Sequence, residues 1–192
     1  MRIEAPRLPC VLPLIASVLL AATPALAFDL PPPCRAQQEF SRKAEAIIAE
    51  QINAARASAV PGAPALRPDE QLSRIAEMRS CELARGGKTL SHLDDKGHFE
   101  SADIVYSVFG LYGVVGENLM EMDASPDAPP LDAGTFAMRA AELWLKSPEH
   151  RPQILNPRYN LSGIGVALVG GEAVATQVFH GPPRRGASIK PR

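Results

Sequence analysis

The stretch Gly116-Glu117-Asn118-Leu119 places a single carboxylate between a glycine and an amide. This carboxylate is the most informative candidate for a functional residue in the chain. Of the four histidines among the 192 residues, His92 precedes Glu117 and His150 follows it. A carboxylate and two imidazoles within one compact domain are typical of a polar functional site. We therefore predict that function resides where these three side chains meet.

The N-terminus has the pattern of a secretory signal peptide. Arg2 and Arg7 precede an apolar run over residues 11–23, which is too short to span a bilayer comfortably. The sequence Ala25-Leu26-Ala27 that follows is the small-residue pattern at which signal peptides are cleaved. The mature protein is therefore expected to begin near Phe28 and to be secreted or periplasmic, with an uncleaved membrane anchor as the alternative.

The net charge and the length of the chain restrict the classes of protein to which it can belong. Removing residues 1–27 as the signal peptide takes away Arg2, Arg7 and Glu4, which leaves 18 basic and 20 acidic residues and a formal charge of −2. This balance does not favour binding to nucleic acid. The remaining length fits one domain with one core, and it contains no second long apolar run. We therefore expect that the protein does not bind nucleic acid and is not an integral membrane protein.

Residue spacing predicts helices before and after a region of short strands. Ser147-Pro148 is expected to cap and open a short helix that carries His150 in its first turn. The helix at 132–146 is expected to bury Phe136, Leu143 and Trp144. The other predicted segments are an extended, proline-rich lead-in at 28–35, helices at 36–57 and 69–84, loop and short strand at 90–120, a long loop at 123–132, a β-hairpin at 164–169 and 174–179, and a disordered basic tail at 181–192.

Several phrases follow one another in a recognisable order. They are His92 with Gly97 five residues on, then Gly116-Glu117-Asn118-Leu119, Trp144, Ser147-Pro148-Glu149-His150-Arg151, Ile154-Leu155-Asn156-Pro157, Gly163-Ile164-Gly165-Val166 and Thr176-Gln177-Val178-Phe179. In this order and spacing, the chain resembles the CAP superfamily, the domain shared by cysteine-rich secretory proteins, antigen 5 and pathogenesis-related proteins, in its short bacterial form. The resemblance implies an α/β fold, a single-domain three-layer α-β-α sandwich, which we place at residues 36–180.

The resemblance also implies a cleft lined by two histidines and acidic partners, matched here by His92, Glu117 and His150. The eukaryotic members carry a second glutamate where this chain has Ser147. Glu149 replaces a glycine usual before the second histidine, and its carboxylate is expected to turn toward the cleft in partial compensation. These five residues are the predicted ligand-binding set, whereas His98 and His180 are interpreted as solvated.

A glutamate between two imidazoles allows three kinds of chemistry. His92 and His150 are candidate ligands for a divalent cation such as zinc. Glu117 is a candidate general base beside a histidine that titrates near neutrality. Alternatively, Glu117 orients the histidines by hydrogen bonds, and Gly116 supplies backbone angles open only to glycine. Ser147 is disfavoured as a nucleophile, because helix capping already explains a serine at this position. The sequence also contains no motif that indicates an oxyanion hole.

Two cysteines remain after the predicted cleavage, Cys34 and Cys81. An even pair in an exported chain permits a disulfide, and Cys81 lies opposite the apolar stripe of its predicted helix. We therefore predict a Cys34–Cys81 bridge.

The function that follows is an exported, non-enzymatic binding module. Its cleft is expected to take a small ligand, a lipid, an envelope component or a divalent cation, with no other cofactor implied. The alternative is a hydrolase with Glu117 as the base and the histidines holding metal or stabilising charge. A third interpretation is a structural surface protein in which the cleft has no function.

Overall fold

A computed structural model describes residues 30–59, 62, 64–86, 90–107, 110 and 112–183. The predicted signal peptide and most of the predicted basic tail lie outside the described residues. Within the described ranges, no helix combines the length and apolar character needed to cross a membrane. The elements are α1 (Pro32–Arg35), α2 (Gln38–Ala59), β1 (Arg67–Pro68), α3 (Glu70–Ala84), α4 (Glu100–Ser107), β2 (Val114–Asp123), α5 (Ala133–Lys146), α6 (Arg151–Leu155), β3 (Leu161–Val169) and β4 (Glu172–Gly181).

The strands form a four-stranded sheet in the order β1-β3-β4-β2. Strands β3 and β4 are the predicted hairpin, closed by Gly170 and Gly171 in left-handed backbone conformations. Strand β2 pairs antiparallel with β4 from Val114 opposite Gly181 onward, and β1 pairs parallel with the start of β3. Strand β2 is therefore an edge strand, and most of the outer edge of β3 lies beyond the short β1.

Helices cover both faces of the sheet. Alternate residues of β4, such as Ala175 and Phe179, pack with α2 and α5 in the largest apolar cluster, which also holds the fully buried Phe136 and Trp144. Val178 faces the other way and packs against Leu72, Ile75 and Ala76 of α3 and Val105 of α4. The predicted three-layer α/β sandwich is thus confirmed.

Two glycines of β3 allow the second helical layer to approach the sheet closely. A Cβ atom added to Gly163 would overlap the backbone of Leu72, and one added to Gly165 would overlap the backbone of Ala76. Any larger residue would therefore push α3 away from the sheet. The close packing of α3 on β3 therefore requires glycine at positions 163 and 165.

The predicted disulfide is confirmed. Cys34 of α1 and Cys81 of α3 are bonded, with their Cα atoms 5.8 Å apart. Both cysteines are buried and pack with Leu83 and Val174 in a separate small cluster. The bond ties the N-terminal segment to the helix that underlies the sheet.

Three local predictions were wrong. The lead-in is not extended throughout, because Pro32–Arg35 forms one helical turn whose prolines occupy the first positions, where no N–H is needed. The region at 90–120 contains the helix α4, and Glu117 lies in the middle of the long strand β2 rather than in irregular structure. Pairing with β4, which is distant in sequence, creates this strand.

Other corrections concern single side chains. Leu143 is 44% exposed, since the buried face of α5 passes through Ala140 and Trp144 instead. His180 is buried rather than solvated, because strand pairing brings it beside Tyr112. Helix α6 begins only at Arg151, so His150 precedes its first turn instead of lying in it.

Candidate functional site

Glu117 lies on the edge strand β2 with its side chain fully buried. One carboxylate oxygen, Oε2, is 2.7 Å from Nδ1 of His92. The other, Oε1, accepts a hydrogen bond from the hydroxyl of Ser101 on α4 and lies 3.4 Å from Nε of Arg79 on α3. Both oxygens therefore have partners within the protein, and these partners come from three separate segments.

Arg79 supplies the buried positive charge of this cluster. Its side chain is 1% exposed, and its Nη1 lies 2.6 Å from the carboxylate of Glu100. Its Nη2 donates to the carbonyl oxygen of Ser91, at 2.7 Å, which fixes the loop that carries His92. Because each of its hydrogen-bonding sides meets an acceptor, Arg79 can offset the cost of burying Glu117.

His92 presents one edge of its ring to Glu117 and the other to solvent. Since an ionised carboxylate only accepts hydrogen bonds, Nδ1 carries the proton in this pair, and Nε2 is left for the cleft. The side chain is 45% exposed, and Phe99 packs edge-on against the imidazole. Glu117 therefore fixes the orientation of the His92 ring.

His150 enters from the other helical layer. The hydroxyl oxygen of Ser147 accepts the backbone N–H groups of Glu149 and His150, both at 3.2 Å, and Nδ2 of Asn118 donates to the His150 carbonyl at 3.4 Å. Burial lowers the pKa of the His150 imidazole, proximity to His92 lowers it further, and the Glu149 carboxylate opposes both. A neutral imidazole is therefore favoured.

His92 and His150 line the same open cleft of about 260 Å³. Glu149 also lines this cleft, as its replacement of glycine suggested, and so does Glu117. Ser147 is not among the lining residues; its hydroxyl supports the turn behind His150. The predicted set thus meets in one place, with Ser147 in a positioning role.

Gly116 is required for space and not for backbone freedom. Its φ is not positive, contrary to the expectation of unusual backbone angles. A Cβ atom at this position would instead overlap the hydroxyl of Tyr159 and the amide oxygen of Gln153, which are hydrogen-bonded to each other at 2.9 Å. The glycine therefore leaves room for this pair, of which Gln153 lines the cleft.

The donor atoms of the cleft suit a cation in part. Nε2 of His92 and a neutral His150 are ligands that zinc accepts, whereas the oxygens of Glu117 are already engaged. Among the described residues, the group with three donor atoms within 4.8 Å of one another lies elsewhere, at Asp94, His98 and Asp103. His98 is exposed, as predicted, and faces these two carboxylates.

Arg79 and Ser101 were missed by the sequence analysis, although one signal pointed to Arg79. This residue continues the helical stripe of Leu72, Ile75 and Ala76, so its charge falls on the buried face of α3. A cation on such a stripe requires a buried partner. No comparable signal marks Ser101, because the helix α4 was itself unforeseen.

Comparison with known structures shows the same fold in distant proteins. The chain is similar to an outer surface protein from Borrelia burgdorferi, with a TM-score of 0.59 at 15% identity over 73% of this chain and 94% of that one. It also resembles an extracellular protein containing a SCP domain from Bacillus anthracis, with a TM-score of 0.55 at 20% identity over 79% of this chain and 44% of that one. A third similar structure is NaASP2 with Zn2+, with a TM-score of 0.51 at 12% identity over 74% of this chain and 85% of that one.

Sequence comparison identifies the family. No curated protein matches the chain. The family model for the cysteine-rich secretory protein family, CAP, matches residues 49–179, which include His92, Glu117 and His150. The expectation drawn from the ordered phrases is confirmed: this chain belongs to the cysteine-rich secretory protein family.

Proposed function

We propose that the protein is an exported, non-enzymatic binding module whose cleft offers His92 and His150 to a divalent cation or a small ligand. The main observation behind the proposal is that both carboxylate oxygens of Glu117 have partners. His92 contacts one oxygen, and Ser101 and Arg79 contact the other. A carboxylate held in this way orients an imidazole toward a ligand. Lipids and envelope components remain candidate ligands alongside small molecules.

The hydrolase alternative requires Glu117 to accept a proton from water. Its side chain is fully buried, its Oε2 lies 2.7 Å from Nδ1 of His92, and its Oε1 is held by Ser101 and Arg79. A general base needs a free acceptor atom within hydrogen-bond reach of the water that it activates. The arrangement therefore favours binding over catalysis by Glu117.

Export is supported by observations at separate places in the chain. The N-terminal sequence has the pattern of a signal peptide, and the Cys34–Cys81 disulfide suits an oxidising compartment. Two similar structures are described as an outer surface protein and an extracellular protein. Edman sequencing of the protein recovered from the periplasm or medium should begin near Phe28, and an intact N-terminus would contradict cleavage there.

The cation part of the proposal is tested by calorimetric titration of the purified protein with Zn²⁺. We expect one strong site whose affinity falls at least about 10-fold in His92→Ala and in His150→Ala, since each removes one of few ligands. His98→Ala is the matched control, because it removes an exposed histidine from the neighbouring acidic group and leaves the cleft intact.

Three outcomes are distinguishable. Loss of binding in both cleft variants with retention in His98→Ala supports a cation in the cleft. Loss confined to His98→Ala would place zinc at Asp94, His98 and Asp103 and contradict that assignment. Absence of binding to the unmodified protein would reject the cation and leave the small ligand, lipid or envelope component to be sought.

A further inference from the structure

Residues of the edge strand β2 line the cleft that holds His92 and His150, which we call the histidine cleft. One of these residues is Glu117, which is 5% exposed as a whole although its side chain is 0% exposed. The surface that Glu117 offers to the cleft therefore belongs to its main chain. The histidine cleft thus contains main-chain groups of a sheet edge as well as two imidazoles.

The direction of these main-chain groups follows from strand pairing. In an antiparallel pair, successive residues point their N–H and C=O groups alternately toward the partner strand and away from it. The carbonyl oxygen of Leu119 points away from β4, because it accepts the indole N–H of Trp144 at 3.1 Å. Glu117 and Val115, two and four residues earlier on β2, share this orientation. Their N–H and C=O groups are therefore directed outward from the sheet.

The pairing on the other side of β4 agrees with this assignment. The N–H of Val166 on β3 points away from β4, since the carboxylate of Glu45 accepts it. Val166 lies opposite Ala175, and Ala175 lies opposite Met120. Alternation through these pairs directs the groups of Ala175 and Met120 toward each other, which leaves those of Leu119 on the outer edge.

The outward groups of Val115 and Glu117 form an unpaired stretch of the edge. Among the residues that the structure describes, no hydrogen bond outside the β2–β4 pairing reaches the main chain of these two residues. The stretch is bounded on both sides, because the hydroxyl of Tyr106 donates to the carbonyl of Gly113 and the carbonyl of Leu119 is also occupied. An unpaired sheet edge can accept a further strand.

One side of this stretch is apolar. Glu117 directs its side chain toward α3, α4 and His92, and on this side Leu93 and Phe99 line the histidine cleft. Phe99 packs edge-on against the imidazole of His92, and Leu93 is 50% exposed. An apolar side chain brought by a ligand would bury surface against these two residues.

The other side of the stretch is polar and acidic. Asn118 directs its side chain the opposite way from Glu117, to the carbonyl of His150. On this side Glu149 and Gln153 line the histidine cleft, and the carboxylate of Glu149 is exposed. Because the side chains of a strand alternate between its two faces, an added strand would meet an apolar wall and an acidic wall in turn.

We propose that the histidine cleft binds an extended segment of a partner protein, which adds to the sheet along Val115 and Glu117. Apolar side chains of the segment pack against Leu93 and Phe99, and a basic side chain between them faces Glu149. This inference rests on the proposed binding role of the cleft and names the chemistry of its partner.

Main-chain pairing is tested with the peptide acetyl-Thr-Val-Lys-Val-Thr-amide, titrated by calorimetry in the presence of EDTA. Two further peptides carry one N-methyl group each, on the lysine or on the valine that follows it. Since alternate N–H groups of an added strand face the sheet, one of the two methyl groups should weaken binding roughly 3- to 10-fold or more and the other should not. Equal affinities of the two N-methylated peptides, or no binding of the parent peptide, would overturn the proposal.

Side-chain recognition is tested by replacing the lysine of the peptide with glutamate, which should weaken binding about 3-fold or more. This preference should shrink in Glu149→Gln and persist in the control Glu121→Gln, which changes an exposed carboxylate of β2 outside the cleft. Leu93→Ala should weaken both peptides alike, and thermal unfolding confirms that each variant is folded. A preference for lysine that is unchanged in Glu149→Gln would contradict the acidic wall.

Other occupants of the edge would give different results. Peptide binding that appears only after removal of residues 184–192 would place that segment of the same chain on the edge, and binding only to the monomer of a dissociating dimer would place a second copy there. Either result would overturn the partner segment. The zinc titration separates this proposal from the proposed function: zinc binding without peptide binding rejects the peptide alone, and peptide binding without zinc binding rejects the cation alone.

Discussion

The two edges of the sheet each hold a glutamate, and the two are accommodated differently. Glu117 at the β2 edge meets the buried guanidinium of Arg79, the hydroxyl of Ser101 and the imidazole of His92. Glu45 of α2, at the β3 edge, accepts only the backbone N–H of Val166, at 2.9 Å, among the bonds of the described residues. Burial raises the pKa of the Glu45 carboxyl to about 7.

The two glutamates show two ways in which a fold compensates for a carboxylate taken out of water. At the β2 edge a buried cation offsets the charge, so the glutamate serves as a rigid acceptor that positions a histidine. At the β3 edge the nearby Glu77 raises the pKa of Glu45 further and Arg42 lowers it only in part, so uptake of a proton is favoured. The first glutamate is suited to a binding site, and the second makes stability depend on pH.

The largest effect is expected from removing the cation at the β2 edge. Arg79→Met keeps much of the side-chain volume but leaves Glu117 and Glu100 without their shared positive charge. Loss of one partner from a buried charge network costs about 3–5 kcal/mol. Urea unfolding should therefore show a decrease of this size in the free energy of unfolding.

The control for this change is Arg74→Met on the same helix. Arg74 pairs with the exposed carboxylate of Glu70, an arrangement that contributes less than about 1 kcal/mol. If Arg79→Met is no more destabilising than this control, the buried cation does not support the β2 edge as described.

An intermediate effect is expected from the disulfide, which lies on the Glu45 side of the molecule. Cys34, Glu45 and Glu77 line one small cleft there, and the bond closes a separation of 47 residues in the chain. The double variant Cys34→Ser/Cys81→Ser should lose about 2–4 kcal/mol of unfolding free energy. The affinity of the histidine cleft for its ligand should not change, and a parallel loss of that affinity would show that the two edges are coupled.

The smallest effect concerns the pH dependence conferred by Glu45. Its pKa is about 7 in the folded protein and 4.5 for the unperturbed group, so the folded state binds more protons than the unfolded state between these values. The contribution of Glu45 to stability is therefore fully present below pH 4.5 and is lost as the pH rises through 7. The total loss is on the order of 1–3 kcal/mol.

Glu45→Gln removes this titration while keeping the shape of the side chain. Unfolding free energies measured from about pH 4 to 8, a range that brackets both pKa values, should decline less steeply for this variant than for the unmodified protein. Glu39→Gln, which changes an exposed glutamate of the same helix, is the control. Parallel pH profiles for the Glu45→Gln variant and the unmodified protein would contradict the proton uptake.

Much of the fold was predictable because the signals are local. The apolar stripe of α2 and the turn glycines between β3 and β4 lie within a few residues of the structure that they specify. Asp69 and Asp132 each cap the helix that follows them, as short polar side chains do. The helix α4 was not predicted, and only short strand was expected where the ten-residue strand β2 forms, since both elements depend on partners far away in the chain.

The sequence alone determined the family, the layered α/β architecture, the cysteine pair and the set of His92, Glu117 and His150. Motif order and periodicity are properties that the chain carries without folding. The surroundings of these residues arise only on folding, which brings Glu117 beside Arg79, 38 residues away, sets Nδ1 of His92 against the Glu117 carboxylate and buries Gln177 beside a cavity. The reason is physical, because burial and hydrogen-bond saturation arise from distant segments that meet only in the folded protein.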